Sequence, residues 1–186
     1  MILIYIILAI LVVLILWVIS TYNFFVSTKT RVGASIQEIG NQLKRQADLI
    51  PNLEASVKGY LSHEKGILEM LADARKMTAS GQDASQKISD TLSKLQVVVE
   101  SNPQLKGADV VTDLMDQLRD TSDKVMYARR LLIDLTADYN VRLVSFPGNV
   151  IAGMFHFEKL AGLTTPADGD FLKVSDSDSE TPKVNL

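Results

Sequence analysis

Read as apolar and polar positions, the chain opens with a run from Ile2 to Ile19 built only of Ile, Leu, Val, Ala, Tyr and Trp, without a charge. As a helix this run spans roughly 27 Å, enough to cross a bilayer core. A cleaved signal peptide needs a basic region before its apolar stretch and a small-x-small site after it. Here only the amino terminus precedes Ile2, and Trp17-Val18-Ile19-Ser20 carries no such site, so the run reads as a retained anchor. Trp17 and Tyr22 near one end, and Tyr5 near the other, stand where interfacial aromatics belong.

From Ser20 to about Gly162 the apolar residues recur every three or four positions, and no stretch alternates with period two for long enough to make a sheet. An all-α fold is predicted. The first helix continues out of the membrane through Tyr22, Val26, Ile36, Ile39 and Leu43, and ends near Asp48-Leu49-Ile50 because Pro51 disfavours helical geometry in the residue before it. A second helix starts at Pro51, with a seam of Leu53, Val57, Tyr60, Ile67, Leu71 and Ala74, and closes around Ser80-Gly81, leaving Asp83 to cap the next segment. A third helix carries Ile88, Leu92, Leu95 and Val99 and stops before Asn102-Pro103. The fourth follows Gly107. Its seam of Val111, Leu114, Leu118, Thr121, Val125, Ala128, Leu132, Leu135 and Tyr139 steps by 3.5 residues on average, until Phe146-Pro147-Gly148 breaks it. Short connections between such helices predict an antiparallel up-and-down four-helix bundle on a membrane stalk. A long homo-oligomeric coiled coil is disfavoured because Pro51, Gly81 and Pro103 cut the pattern into bundle-length pieces.

Past the break, Val150, Ile151, Met154, Phe155, Phe157 and Leu160 suit a short amphipathic helix that either closes the open end of the bundle or meets lipid or a partner. From Thr164 the composition turns to Asp, Ser, Thr, Pro and Lys, with Asp168, Asp170, Asp176, Asp178 and Glu180 opposed only by Lys173 and Lys183. Such a segment lacks the apolar side chains that offset ordering entropy, so a disordered acidic tail is expected. The chain thus divides into an anchor over 1–20, a helical bundle over 21–163 and a tail over 164–186.

Charge and composition narrow the function. With 19 basic against 22 acidic residues the chain has no electrostatic case for binding nucleic acid. It has no cysteine, which removes disulfides, thiol nucleophiles and thiolate metal sites. Lys29 and Arg31 follow the anchor, with Lys44 and Arg45 further on and no basic residue before it, so the positive-inside rule puts the bundle in the cytoplasm. His63-Glu64 looks like the start of a zinc-binding helix motif, but position 67 is Ile67, and the other histidine, His156, belongs to a different element. Asp113, Asp116, Asp120 and Asp123 lie on successive turns of the fourth helix, interleaved with Arg119 and Lys124 and off the apolar seam, which reads as a solvated face. No catalytic, cofactor-binding or metal-ligating residue is assigned, and an enzyme is not expected.

Several strings coincide in order and spacing with one family. Tyr22-Asn23, Leu43-Lys44-Arg45, Asp48-Leu49-Ile50-Pro51-Asn52-Leu53, Val57-Lys58-Gly59-Tyr60, His63-Glu64 and Ala74-Arg75 are followed by Glu100, Pro103-x-Leu105-Lys106, Ala128-Arg129, Tyr139-Asn140 and Phe146-Pro147-x-Asn149. In these residues, over about 20–157, the chain resembles the LemA family. The resemblance implies a single-pass membrane protein with an antiparallel helical bundle and no established enzyme activity; one branch of the family looks linked to building magnetosome membranes. Two positions depart from the family pattern: Leu132-Ile133 stands where a second Tyr-Asn pair is usual, and Ile39-Gly40 replaces an Ile-Asp.

The Asn and Tyr side chains near the seams can fix helix register through hydrogen bonds, and Arg45, Arg75 and Arg129 can hold carboxylates such as Asp48, Glu64 or Asp134. The terminal Val184-Asn185-Leu186 has the apolar-x-apolar form that a PDZ-type groove takes up. Together these features predict a non-enzymatic, membrane-anchored interaction or scaffolding module. Its partners would be the bilayer, through residues 2–19, and other membrane or membrane-associated proteins. The alternative is a homo-oligomeric protein that assembles to organise or remodel membrane.

Overall fold

A computed structural model describes residues 1–59, 61, 64–102 and 109–163. The described residues form five helices and no strand: α1 Ile2–Val57, α2 Lys65–Ala79, α3 Ser85–Ser101, α4 Asp109–Val144 and α5 Gly148–Met154. The expected disordered tail and the terminal Val184-Asn185-Leu186 lie outside the described residues, as do Tyr60 and His63.

The apolar run expected to be an anchor and the expected first bundle helix are one rod. At 56 residues, α1 is roughly 84 Å long. Its apolar span is long enough to cross a membrane and, among the described residues, is covered by no other part of the chain. The helix does not end at Ile50 as expected. It continues through Pro51 to Val57, although an interior proline removes a backbone hydrogen bond and costs about 3 kcal/mol. Ile50, Leu53 and Val57 are all completely buried in the same core, and burying each stabilises by roughly 1.5–3 kcal/mol. Three such anchors on one face outweigh one lost bond. Leu53 and Val57 therefore belong to α1, and the break falls after Lys58, with α2 starting at Lys65.

The buried face of α1 also differs from the expected one. Val26 and Ile36 point outward and Tyr22 sits at the rim against Phe155, while Thr21, Phe25, Thr28, Val32, Ser35 and Gln46 turn inward together with the expected Leu43. On α3 and α4 the large aliphatic residues lie where the 3.5-residue step put them. Ile88, Leu92, Leu95 and Val99 are buried, as are Val111, Leu118, Val125, Ala128, Leu132, Leu135 and Tyr139, with Met115 more deeply placed than Leu114.

Three clusters hold the rods together. The distal and largest draws Ile50, Leu53 and Val57 of α1 together with Ile67 and Leu71 of α2, Leu92 and Leu95 of α3, and Met115 and Leu118 of α4. A middle cluster joins Val32 to Leu132 and Leu135. A proximal one, next to the anchor, joins Phe25, Tyr139 and Ala152. With 15 and 17 residues, α2 and α3 accompany only the distal part of the 36-residue α4.

Specific pairs set the register. Along α1 and α4, Phe25 meets Tyr139, Gln46 donates to Ser122 at 3.1 Å and Arg45 donates to Gln117 at 3.4 Å. Between α2 and α3, Lys87 pairs with Asp73 at 2.8 Å, and this hydrogen-bonded ammonium holds the Asp73 carboxyl below its usual range. Helix α2 ends in a Schellman motif, in which Gly81 takes a φ of 74°, its N–H donates to Thr78 and the Gln82 N–H donates to Met77. The N-cap of α3 is Ala84, one residue later than the expected Asp83, whose carboxylate nevertheless accepts the N–H of the first helical residue, Ser85, at 2.9 Å.

Candidate functional site

The most distinctive construction lies where the folded part meets the apolar span. Helix α4 ends at Val144, the chain turns through a cis Phe146-Pro147 bond, and α5 occupies only Gly148–Met154. The expected amphipathic helix to Leu160 is thus shorter. After it the chain runs back without regular structure along α1 and α4, because α5 closes in a second Schellman motif. His156 takes the left-handed position with a φ of 54°, its N–H donates to Gly153, and the Phe157 N–H donates to Ala152 at 2.9 Å.

Two devices hold the returning segment. The first is aromatic: Phe157 stacks on Phe25 at 4.8 Å, Phe25 meets Tyr139 edge-on at 5.3 Å, and Tyr22 meets Phe155 edge-on at 4.8 Å. Burial pushes the Tyr139 phenol above its ordinary pKa, helped by the negative charge of Glu158. The second device is the Asn140 carboxamide. Its Nδ2 donates to the Leu160 carbonyl at 2.9 Å and its Oδ1 accepts the Leu160 N–H at 3.0 Å, so one side chain satisfies both backbone groups of a residue outside any helix. Of the Asn residues singled out in the sequence, Asn140 thus has a defined task, while Asn23 is exposed.

Beside this construction lies a groove of about 480 Å³, lined among others by Trp17 and Thr21 of α1, Asp138 and Arg142 of α4, and Phe146 and Pro147 of the turn. The Arg142 guanidinium sits 4.1 Å above the Phe24 ring, a cation–π contact that fixes the groove wall.

Other candidate residues are spread along the rods. Arg129 pairs with Asp83 at 3.0 Å and not with Asp48, Glu64 or Asp134, so it ties α4 to the α2–α3 connection. Arg45 meets the Gln117 amide in place of a carboxylate. Arg75 lines a shallow groove beside Glu54. On the aspartate-rich face Asp116 pairs with Arg119 and Asp120 with Lys124, all four exposed by 47% or more, and Asp113 and Asp123 are exposed. Among the described residues no three His, Asp or Glu side chains come together to hold a metal. His156 serves the backbone turn.

Against this geometry, the model of the LemA family matches residues 35–185. The chain belongs to the LemA family. A comparison with curated protein sequences finds no match. At the two departures from the LemA pattern, Leu132 is buried in the middle cluster and Ile133 is exposed, while Gly40 faces open space. Neither position of this LemA chain carries a polar contact between helices.

Sequence reasoning missed two partners here, Leu160 for Asn140 and Asp83 for Arg129. Asp83 had a visible signal, since a carboxylate just ahead of a helix spends one oxygen on the first helical N–H and keeps the other to pair a cation. The Leu160 contact is made by backbone atoms, which no side-chain pattern marks.

Proposed function

We propose that this LemA-family chain is a non-enzymatic single-pass membrane protein whose folded part, an antiparallel helical bundle, works as an interaction or scaffolding module held at a fixed height above the bilayer. The observation that carries this reading is the continuity of α1 from its uncovered apolar span into the distal core. A helix unbroken from Ile19 to Leu53 sets the distal cluster about 50 Å from the membrane edge, and a stiff stalk of that kind suits presentation of a surface. The antiparallel arrangement is supported by the pairs Phe25–Tyr139 and Gln46–Ser122, whose numbers rise along α1 as they fall along α4. Lys29 and Arg31, close to the span, support a cytoplasmic bundle. Buried hydroxyls support a structural interior: Ser35, Thr78 and Thr91 donate to carbonyls one turn back in their own helices, which leaves them no reach toward a substrate.

The test is crosslinking of the full chain in native membranes, compared with a chimera that keeps residues 1–20 and replaces the bundle by an unrelated one. Protein species crosslinked only to the full chain are expected. Equal patterns from both would refute the interaction reading, and a ladder of multiples of 20.5 kDa would transfer the assignment to self-assembly.

A further inference from the structure

The membrane-proximal end of the folded part is built unlike the rest of its surface. From Phe146 to Phe157 the chain carries no Asp, Glu, Lys or Arg, whereas the outer face of α4 is dense in both signs of charge. Within this stretch the apolar residues divide. Ile151 and Ala152 face inward and Phe157 packs on Phe25, but Phe146 is 82% exposed and Met154 61%, with Val150 and Phe155 also exposed. Val150 and Met154 are four residues apart and share the outer face of α5, and Val144 adds to the patch from the last turn of α4.

Its height above the anchor is decided by shared contacts. Phe146 and Pro147 line the same groove as Trp17 and Thr21, so the turn stands level with the last turn of the apolar span. Phe155 lies against Tyr22, less than one turn past Ile19. A patch at that level, contiguous with a segment that crosses the bilayer, faces the boundary between headgroups and acyl chains. Aromatic and long apolar residues are favoured there, with basic side chains reaching the phosphates.

We infer that the turn at Phe146-Pro147 and the outer face of α5 are seated in the bilayer interface, with Phe146, Val150, Met154 and Phe155 in contact with lipid and Arg142 at the level of the headgroup phosphates. The folded part is then fastened to the membrane at two places, the α1 span and this patch, which fixes the tilt of the rod. The inference rests on the anchor reading of α1.

Because the chain has no cysteine, single cysteines for a nitroxide label can be placed in the full protein. The variants are Phe146→Cys, Met154→Cys, Leu8→Cys in the span and Val97→Cys on the exposed face of α3, each reconstituted in vesicles of phosphatidylcholine with phosphatidylglycerol. Collision rates with oxygen, which concentrates in lipid, and with a water-soluble nickel chelate give the depth of each label. The labels at 146 and 154 are expected to show an oxygen-to-nickel ratio several-fold above that at 97 and closer to that at 8. A ratio at 146 and 154 equal to that at 97, with 8 in lipid, would overturn the inference and leave the anchor standing. Water exposure at 8 would remove both. Spectral broadening at 146 that is relieved by diluting with unlabelled chain would assign the patch to a second copy, against lipid. As a check free of cysteine, Phe146→Trp in a Trp17→Phe background is expected to lose fluorescence to brominated lipid. Absence of quenching would count against seating in the interface.

Discussion

His156 and Gly148 bracket α5 and place opposite demands on their side chains. His156 holds a φ of 54° to let the chain turn back, a conformation that costs an L-residue roughly 1–2 kcal/mol, while its ring is exposed. Glycine removes that strain and returns part of the gain as unfolded-state entropy. His156→Gly is therefore expected to stabilise by about 0.5–1 kcal/mol in chemical denaturation. Gly148 is tight. A Cβ there would stand 2.5 Å from the Arg142 carbonyl oxygen and 3.1 Å from the Arg142 Cγ. The nearer atom is backbone in the last turn of α4 and cannot rotate away, so Gly148→Ala should cost about 1–3 kcal/mol, read as a lower denaturation midpoint. Equal midpoints for the two variants would show that the return turn contributes nothing to stability.

Among the elements, α3 and α4 were legible from their large aliphatic residues, whose 3.5-residue step alone marks the buried face. In α1 that signal misled, because the inward stripe alternates Phe25, Val32 and Ile39 with small hydroxyl residues Thr21, Thr28 and Ser35 at the same seven-residue step. A search for bulky apolar groups selects Val26 and Ile36 from the outer face, although it also finds the inward Ile39 and Leu43. Pro51 misled for a different reason: local geometry argues for a break, and only the tertiary burial of Ile50, Leu53 and Val57 overrules it. Neither the outward patch at Phe146 nor its height was readable, since both depend on where a cis turn sets the end of α4 against α1. The same polar stripe yields a prediction. Gln46 is fully buried between α1 and α4, where its Nε2 donates to Ser122 but its Oε1 has no partner among the described residues. An unsatisfied buried carbonyl costs about 1–3 kcal/mol, more than the single neutral bond returns. Gln46→Leu is expected to raise stability by about 1 kcal/mol, and a fall of similar size in the urea midpoint would show that this amide is needed to hold the register.

At the scale of the whole molecule, the three separate clusters imply that the rod does not come apart as one unit. The distal cluster takes side chains from four helices, whereas the proximal one depends on α1, α4, the short α5 and a segment without regular structure fastened by Asn140 and the aromatic contacts. Asn140→Ala removes two hydrogen bonds worth about 0.5–1.5 kcal/mol each. It should speed amide exchange by roughly tenfold or more over 155–163 while leaving α2 and α3 unchanged. Uniform acceleration along the chain would mean a single cooperative unit. Alkali provides an independent probe of the same division. Tyr139 has its pKa raised in the folded state, so it contributes stability that is fully present below the unfolded value of about 10 and is lost as pH rises through the folded value. Above pH 10 or so the phenolate is favoured only when the proximal cluster opens, because burial and Glu158 both oppose the charge where it stands. Exchange over 155–163 is therefore expected to accelerate with pH beyond its ordinary hydroxide dependence. Tyr139→Phe should abolish that excess while preserving the ring contact with Phe25. Persistence of the excess in Tyr139→Phe would place the alkaline weakness elsewhere in the rod.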